Sequence, residues 1–474
     1  MAIWESHLSF FLSLTVLKSK RAISWIWLLL AVFFAKELLW SYLIPPWQAP
    51  DELGHYGYVE TLSEGRLPLL GETKIPEKVE ITVNDPNLVR AYPPGEGLNY
   101  IAQHPPFYYL LLLPFYLFLS QNNPAITLLL LRIIGISLGA VTLFFAYKTV
   151  QKVAPAQKWL QMAVVCGIAF LPMFSYTAAV LNNDNLVAAL AAMLIFFLVD
   201  PDQKKIQWPV TVGILLGLAA LTKYTALTLV IPIVIVQLIR FFQAESREEK
   251  KKIFTNGVTI FSIAFVIAGW WYIRNYAVFK SLFPELKQAV ALNPDLLIKY
   301  KYLAIFFPEI ASTAQPDLTF WAFLFKQGFI VEYYRSIWGN FGKFILSQMQ
   351  YIFIFILTGL SVFGFLKRLY VNGVKKFLAS PQFLFFSILV SVSVTLAVKL
   401  FEIARERGFL GALNGRYFFS ALIPFFYFFI LGLSYLLPSS LKKHEQWFFG
   451  ILIILFVVND ACAVYNVLIP NVLI

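Results

Sequence analysis

The chain has 474 residues, of which 59% are hydrophobic and 14% charged, and its formal net charge is +12. A mean hydropathy of +0.71 excludes a water-soluble globular domain and indicates a polytopic membrane protein. The positive charge does not indicate nucleic acid, because Lys and Arg fall in short clusters between apolar runs, as the positive-inside rule requires.

The first long apolar segment, residues 22–44, follows Lys18, Lys20 and Arg21. It is long enough to cross a hydrocarbon core of about 30 Å. It exceeds a signal-peptide core and lacks a clear small-residue cleavage site, so it reads as an uncleaved anchor with a cytoplasmic N-terminus. Lys36 and Glu37, in its outer third, are expected to snorkel to the interface. The loop 45–104 then carries nine acidic and four basic residues. Within it, Asp51 to Glu60 has helical potential after Pro50, and Ser63 to Pro68 ends that helix. Residues 105–120 are apolar and aromatic but too short for a comfortable span, and are expected to lie in the outer interface.

Further spans are expected at 125–148, 158–178, 185–200, 207–222, 224–240, 253–272, 346–366, 381–401, 417–437 and 446–468. The links then gather Lys148/Lys152/Lys158, Lys204/Lys205, Arg240/Arg247/Lys250/Lys251/Lys252, Lys367/Arg368/Lys375/Lys376 and Lys442/Lys443 on the cytoplasmic side. The expected fold is an all-α polytopic membrane protein of about 11 transmembrane helices, forming one domain over residues 1–474. Its first extracytoplasmic loop is 45–124 and its second extracytoplasmic region is 273–345, where an apolar piece near 319–331 reads as re-entrant or interfacial. Cys166 and Cys462 lie inside apolar runs, so no disulfide framework or metal–thiolate site is implied.

This topology places ionisable residues near the outer face: Asp184, Lys223, Arg274, Arg132, Glu402, Arg405, Glu406 and Arg416. Polar groups near membrane depth are costly and mark functional sites. Asp51 and Glu52 are adjacent, so on a helix they diverge by about 100° and do not form a facing dyad. One suits a general base, while the other orients it, holds a metal or caps the helix. The plain reading of Asp51 is a carboxylate favoured by the helix dipole. His55, four residues on, shares its face as an orienter or ligand. Asp51, Glu52 and His55 make a divalent metal a candidate cofactor, with water or substrate completing the shell. His104 starts the interfacial helix and faces the same outer cavity. Lone outer cations such as Lys223, Arg274 and Arg416 suit an anionic headgroup, or else pair with Glu402, Glu406 or Asp184.

The run Pro50-Asp51-Glu52…His55-Tyr56…Leu62-Ser63-Glu64-Gly65-Arg66-Leu67-Pro68 resembles the first-loop signature of the C-type glycosyltransferase superfamily. The likeness is to the protein O-mannosyltransferases, the lipid A aminoarabinose transferases and a branch of bacterial and archaeal membrane proteins with this fold. It continues in His104-Pro105-Pro106-Phe107-Tyr108-Tyr109-Leu110, Leu131-Arg132, Asn183-Asp184, Leu221-Thr222-Lys223-Tyr224, Gly269 to Tyr276 and Gly415-Arg416-Tyr417-Phe418-Phe419. The resemblance implies inverting transfer of a sugar from a polyprenyl-phosphate carrier to an acceptor hydroxyl or amine. The acceptor would be a lipid, glycan or protein, met on the extracytoplasmic face of a prokaryotic plasma membrane. It implies Asp51 as the base, Asp184 as the second acidic position, and Lys223, Arg274 and Arg416 at the lipid phosphate; Glu52 is a further catalytic candidate and Arg132 a further candidate at the phosphate. His55, His104 and Tyr56 are supporting residues. One departure is that aminoarabinose transferases have lysine-proline where this chain has His104-Pro105, which implies different wiring of the site. The competing readings are a lipid flippase or transporter, which would need sites near mid-membrane such as Asp460, and a non-catalytic relative of the same fold.

Overall fold

The computed structural model describes residues 22–83, 95–199, 207–296, 315–340, 346–407 and 413–465. Lys18, Lys20, Arg21, Lys204 and Lys205 lie outside the described residues, as do 341–345 and 466–474. Sixteen helices carry the architecture. They are α1 Ala22–Leu43, α2 Glu52–Ser63, α3 Phe107–Leu119, α4 Pro124–Val153, α5 Lys158–Ala169, α6 Pro172–Ala178, α7 Asp184–Leu198, α8 Gln207–Ala220, α9 Val230–Gln243, α10 Arg247–Phe279, α11 Leu286–Leu292, α12 Phe329–Gly339, α13 Gln348–Asn372, α14 Gln382–Arg407, α15 Leu422–Tyr435 and α16 Glu445–Ala463. Tight 3-10 segments, Tyr224–Leu229 and Gly415–Ala421, lead into α9 and α15. The described residues hold no strand beyond an isolated bridge between Lys74 and Leu98.

Among the described residues, eight helices are long and apolar enough to cross a membrane, or nine if the bent pair α5–α6 is one span. The expected spans at 185–200 and 207–222 are present as α7 and α8, of 15 and 14 residues. At a rise of about 1.5 Å per residue each falls short of a full crossing. Helix α7 is apolar all round and buried along almost its whole length, so its neighbours meet the lipid in its place. The expected straight span 158–178 bends by 58° between Ala169 and Pro172. Pro172 lacks the N–H that a continuous helix would need there, and its ring disfavours helical geometry in Leu171.

That break explains a second difference. Lys36 and Glu37 do not snorkel. Lys36 Nζ lies 2.7 Å from Glu37 Oε1 and 3.0 Å from Asp460 Oδ2. It also donates to the Ala169 carbonyl at 2.9 Å and to Ser175 Oγ at 2.5 Å. The proline break orphans that carbonyl, and the lysine satisfies it while joining α1, α5, α6 and α16.

Elsewhere the helices meet through small residues. A Cβ on Gly432 would come within 2.0 Å of the Ser361 carbonyl, and one on Gly364 within 2.0 Å of the Gly432 carbonyl. Helices α13 and α15 therefore cross in backbone contact, as helices in lipid do when packing, and not solvent, drives association. Gly432→Val is expected to force them apart, lowering stability by about 1–3 kcal/mol. Thermal unfolding of the purified protein in detergent would show this, and an unshifted midpoint would refute the contact.

Candidate active site

The site begins at the turn that ends α1. Trp47 and Asp51 both have left-handed backbones, with φ of 70° and 72°. Non-glycine residues seldom adopt this conformation, and Asp tolerates it better than most. The turn directs the chain from α1 into α2, with Asp51 as the N-cap residue of α2. Its carboxylate makes no capping bond to the helix. Instead Tyr100 Oη donates to Oδ1, and Arg416 Nη2 donates to Oδ2.

Arg416 is brought there by the approach of Gly415 to α12, where a Cβ on residue 415 would fall 2.0 Å from the Ser336 carbonyl. Only glycine fits. Arg416 also reaches Asp184, with Nε 3.2 Å from Oδ2. The pair is close but not aligned as a hydrogen bond, so that N–H has no hydrogen-bond partner. Lys223 Nζ donates to both oxygens of Asp184 at 2.8 Å. The result is a chain of alternating charge: Asp51, Arg416, Asp184, Lys223. Tyr417 lies beside both cations, with Lys223 Nζ 4.9 Å and the Arg416 guanidinium carbon 5.7 Å from its ring centroid.

Burial alone would raise the Asp51 carboxyl. The Arg416 guanidinium, helped by His55 and Tyr100, reverses this and holds it well below the usual carboxylate range. Burial pushes the His55 imidazole down to about 3 against the pull of Asp51. Burial, then Lys223 and His55, push His104 well below its ordinary value. Two neutral imidazoles therefore flank the charged chain. His55 Nδ1 is 2.9 Å from Tyr109 Oη. His104 faces Tyr224 at 6.3 Å between ring centroids.

Glu52 points away into the protein. Both it and Arg132 are wholly buried. Arg132 Nε and Nη2 donate to the two Glu52 oxygens at 2.9 and 2.7 Å. Its remaining N–H groups go to the carbonyls of Ser41, Ile44 and Pro45. Glu52 Oε1 also accepts from Leu181 N–H at 3.0 Å.

The structure thus brings together Asp51, Asp184, Lys223, Arg416, His55 and His104 of the sequence-derived set. Four others stand elsewhere, Glu52 among them, turned to Arg132. Arg132 has every donor committed to Glu52 and backbone carbonyls, which leaves none for a phosphate. Arg274 sits on the first loop, donating to the Pro68 carbonyl at 3.2 Å with its guanidinium over Trp271. Tyr56 packs on Trp47 and Tyr116. The trio Asp51, Glu52 and His55 does not fit a metal. Glu52 is turned to Arg132, His55 Nδ1 is engaged by Tyr109, and no group of three or more His, Cys, Asp or Glu among the described residues could hold an ion. Tyr100 is the residue that sequence reasoning missed. One tyrosine among 23, opening the short 3-10 turn Tyr100–Gln103, carries no signal of its own.

A groove of about 400 Å³ opens beside the cations. It runs between the Tyr224–Leu229 segment and α14, lined mostly by apolar atoms of residues such as Leu227, Ile231, Leu396 and Leu400. Tyr417 also lines it, and Lys399 stands in its wall, paired with Glu285 at 2.9 Å.

Known proteins share this arrangement of helices. Residues 103–271 match the family model described as dolichyl-phosphate-mannose-protein mannosyltransferase. The archaeal oligosaccharyltransferase AglB from Archaeoglobus fulgidus superposes in its apo form with a TM-score of 0.52 at 13% identity, over 93% of this chain and 56% of that one. The fold is that of the C-type glycosyltransferases. AglB in complex with an inhibitory peptide and a dolichol-phosphate gives 0.50 at 14% identity, over 94% and 56% of the two chains. ArnT from Cupriavidus metallidurans bound to undecaprenyl phosphate gives 0.47 at 13% identity, over 91% and 63%. The chain therefore spans a little over half the length of AglB and 63% of ArnT. No curated protein matches its sequence. The segment matched by the family model contains His104, Arg132, Asp184 and Lys223, whereas Asp51 and Arg416 join the charge chain from outside it.

Two outcomes follow. Arg132→Met leaves Glu52 charged and unpaired in the interior, and is expected to cost about 3–5 kcal/mol. Adding Glu52→Gln should recover part of that loss in the same unfolding assay, and a single variant as stable as wild type would deny the pair this role. Acidification tests the imidazoles. The folded His55 value lies below the unfolded one, so its stabilisation is present above about pH 6.5 and is lost as pH falls toward about 3. Between pH 7 and pH 5 His55 should contribute a loss of about 2 kcal/mol, absent in a folded His55→Gln variant.

Proposed function

We propose that the protein is an integral membrane glycosyltransferase that transfers a sugar from a polyprenyl-phosphate carrier to an acceptor hydroxyl or amine on the extracytoplasmic face, with inversion. The observation that carries this reading is the alternating chain Asp51–Arg416–Asp184–Lys223 standing at the end of an apolar groove. The likeness of the fold to C-type enzymes supports it. The groove suits a prenyl tail, which gains little by leaving surrounding lipid but is aligned there. The phosphate would then lie against Lys223 and Arg416, whose Nε–H has no hydrogen-bond partner.

A polyprenyl phosphate needs cations at its leaving oxygen, and it needs no acid. In the transfer, the acceptor oxygen or nitrogen forms a bond to the anomeric carbon as the bond from that carbon to the phosphate oxygen breaks. The electron pair departs with the phosphate, and the acceptor's proton passes to Asp51. Before donor binding Asp51 is a poor base, since Arg416 and Tyr100 hold its oxygens. An arriving phosphate competes for Arg416, and the carboxylate gains basicity only when the donor is present. Water alone then meets a weak base.

The test is a transfer assay in reconstituted membranes with a panel of radiolabelled polyprenyl-phosphate sugars. Wild type should make product from at least one donor, and Asp51→Asn should fall by about 10²–10⁴-fold. In the wild type kcat/KM should be flat from pH 5 to 7, because free Asp51 stays ionised, while kcat should fall on the acid side. No product from any donor, with carrier lipid still bound, would turn the reading to a non-catalytic relative. Full activity in Asp51→Asn would remove Asp51 as the base.

A further inference from the structure

The charge chain accounts for a phosphate and a proton, but it leaves polar groups beside it unexplained. Asn183 is wholly buried, yet neither its Oδ1 nor its Nδ2 has a hydrogen-bond partner. His104 is 6% exposed, and its Nδ1 is buried without a partner. Such groups are rare in folded proteins, because each forfeits its hydration for nothing. The two flank one ion pair. Asn183 directly precedes Asp184, while His104 adjoins Lys223, the charge that acts on it most strongly. The bond from Phe107 N–H to the Leu221 carbonyl, 3.1 Å, fixes the two segments side by side. Gln103, next in chain to His104, and Tyr224, which faces its ring, both line the groove. His104 thus stands at the edge of the groove, and Asn183 next to Asp184 in the chain.

We propose that His104 and Asn183 hold the transferred sugar, as a neutral polyol, through hydrogen bonds to its hydroxyl groups. The chemistry of the donors and acceptors points to this ligand. A neutral imidazole and a carboxamide each offer a donor and an acceptor, matching a hydroxyl, which is both. Lys223 and Arg416 nearby disfavour an imidazolium, so His104 serves as a hydrogen-bonding partner and not as a second base.

The inference rests on the polyprenyl-phosphate reading, and the experiment separates the two. Full-length protein in lipid nanodiscs is titrated with sugar-free polyprenyl phosphate and with the same carrier bearing mannose, glucose or galactose. Wild type is expected to bind the sugar-free carrier and to bind at least one hexose form about tenfold tighter, the worth of one or two net hydrogen bonds. His104→Leu and Asn183→Leu should abolish that margin while changing sugar-free binding by less than about twofold. His104→Gln, which keeps a donor and an acceptor, should restore part of it and also report that the site still folds. Equal losses on both probes would overturn the proposal, as would variants that keep the margin or a wild type that shows none. A wild type that binds no carrier at all would instead sink the donor reading, and the inference with it.

Discussion

The site depends on where one guanidinium spends its five N–H groups. Arg132, inside α4, donates to both oxygens of Glu52 and to the last carbonyls of α1 and the turn beyond it. Glu52 in turn accepts from the Leu181 amide. A buried ion pair of this kind gives little net stability, but its geometry is unforgiving. It fixes the end of α1, the start of α2 and the turn before α7 against α4. Asp51 adjoins Glu52, and Asp184 lies three residues after Leu181. Both carboxylates of the charge chain are therefore placed by a pair that takes no part in that chain.

The chain itself is neutral overall: two carboxylates alternate with two cations. Isolated charges at this burial would be prohibitive. Alternation lets an apolar bundle keep four ions at one end without water around each of them. It also means that the cations are already spoken for, and an anionic ligand must outbid carboxylates of similar charge. What remains for such a ligand is the Arg416 Nε–H, which has no hydrogen-bond partner, and the fork that a guanidinium presents.

Most of the helices were legible in the hydropathy of the sequence, because lipid imposes a length and an apolar composition on anything that crosses it. The first loop was legible for the opposite reason, its acidic residues standing out in a basic chain. What the sequence hid was partner choice. Arg132, Lys223, Arg274 and Arg416 look alike as lone cations near one membrane face. Only folding shows that Arg132 is consumed inside, that Arg274 rests on the first loop, and that the other two share Asp184. Lys36 was misread because distance from a helix end suggests snorkelling, while the residue that captures it, Asp460, belongs to α16 at the far end of the chain. Pro172 was visible, but the bend also needed a lysine to satisfy the carbonyl that the break exposes. The short helices α7 and α8 read as spans because a hydropathy window does not see that neighbours shield them.

Asp51 and Arg416 are separated by 365 positions in the chain, and nearly every membrane helix lies between them. While the chain is being threaded into the bilayer, the carboxylate is laid down early and waits without its counter-ion until the bundle is almost complete. During that interval Asp51 is an ordinary exposed acid beside a membrane, and the groove lacks its far wall. A truncated or stalled chain therefore lacks the cation that pairs with Asp51. Completion of the bundle and formation of this ion pair are therefore one event.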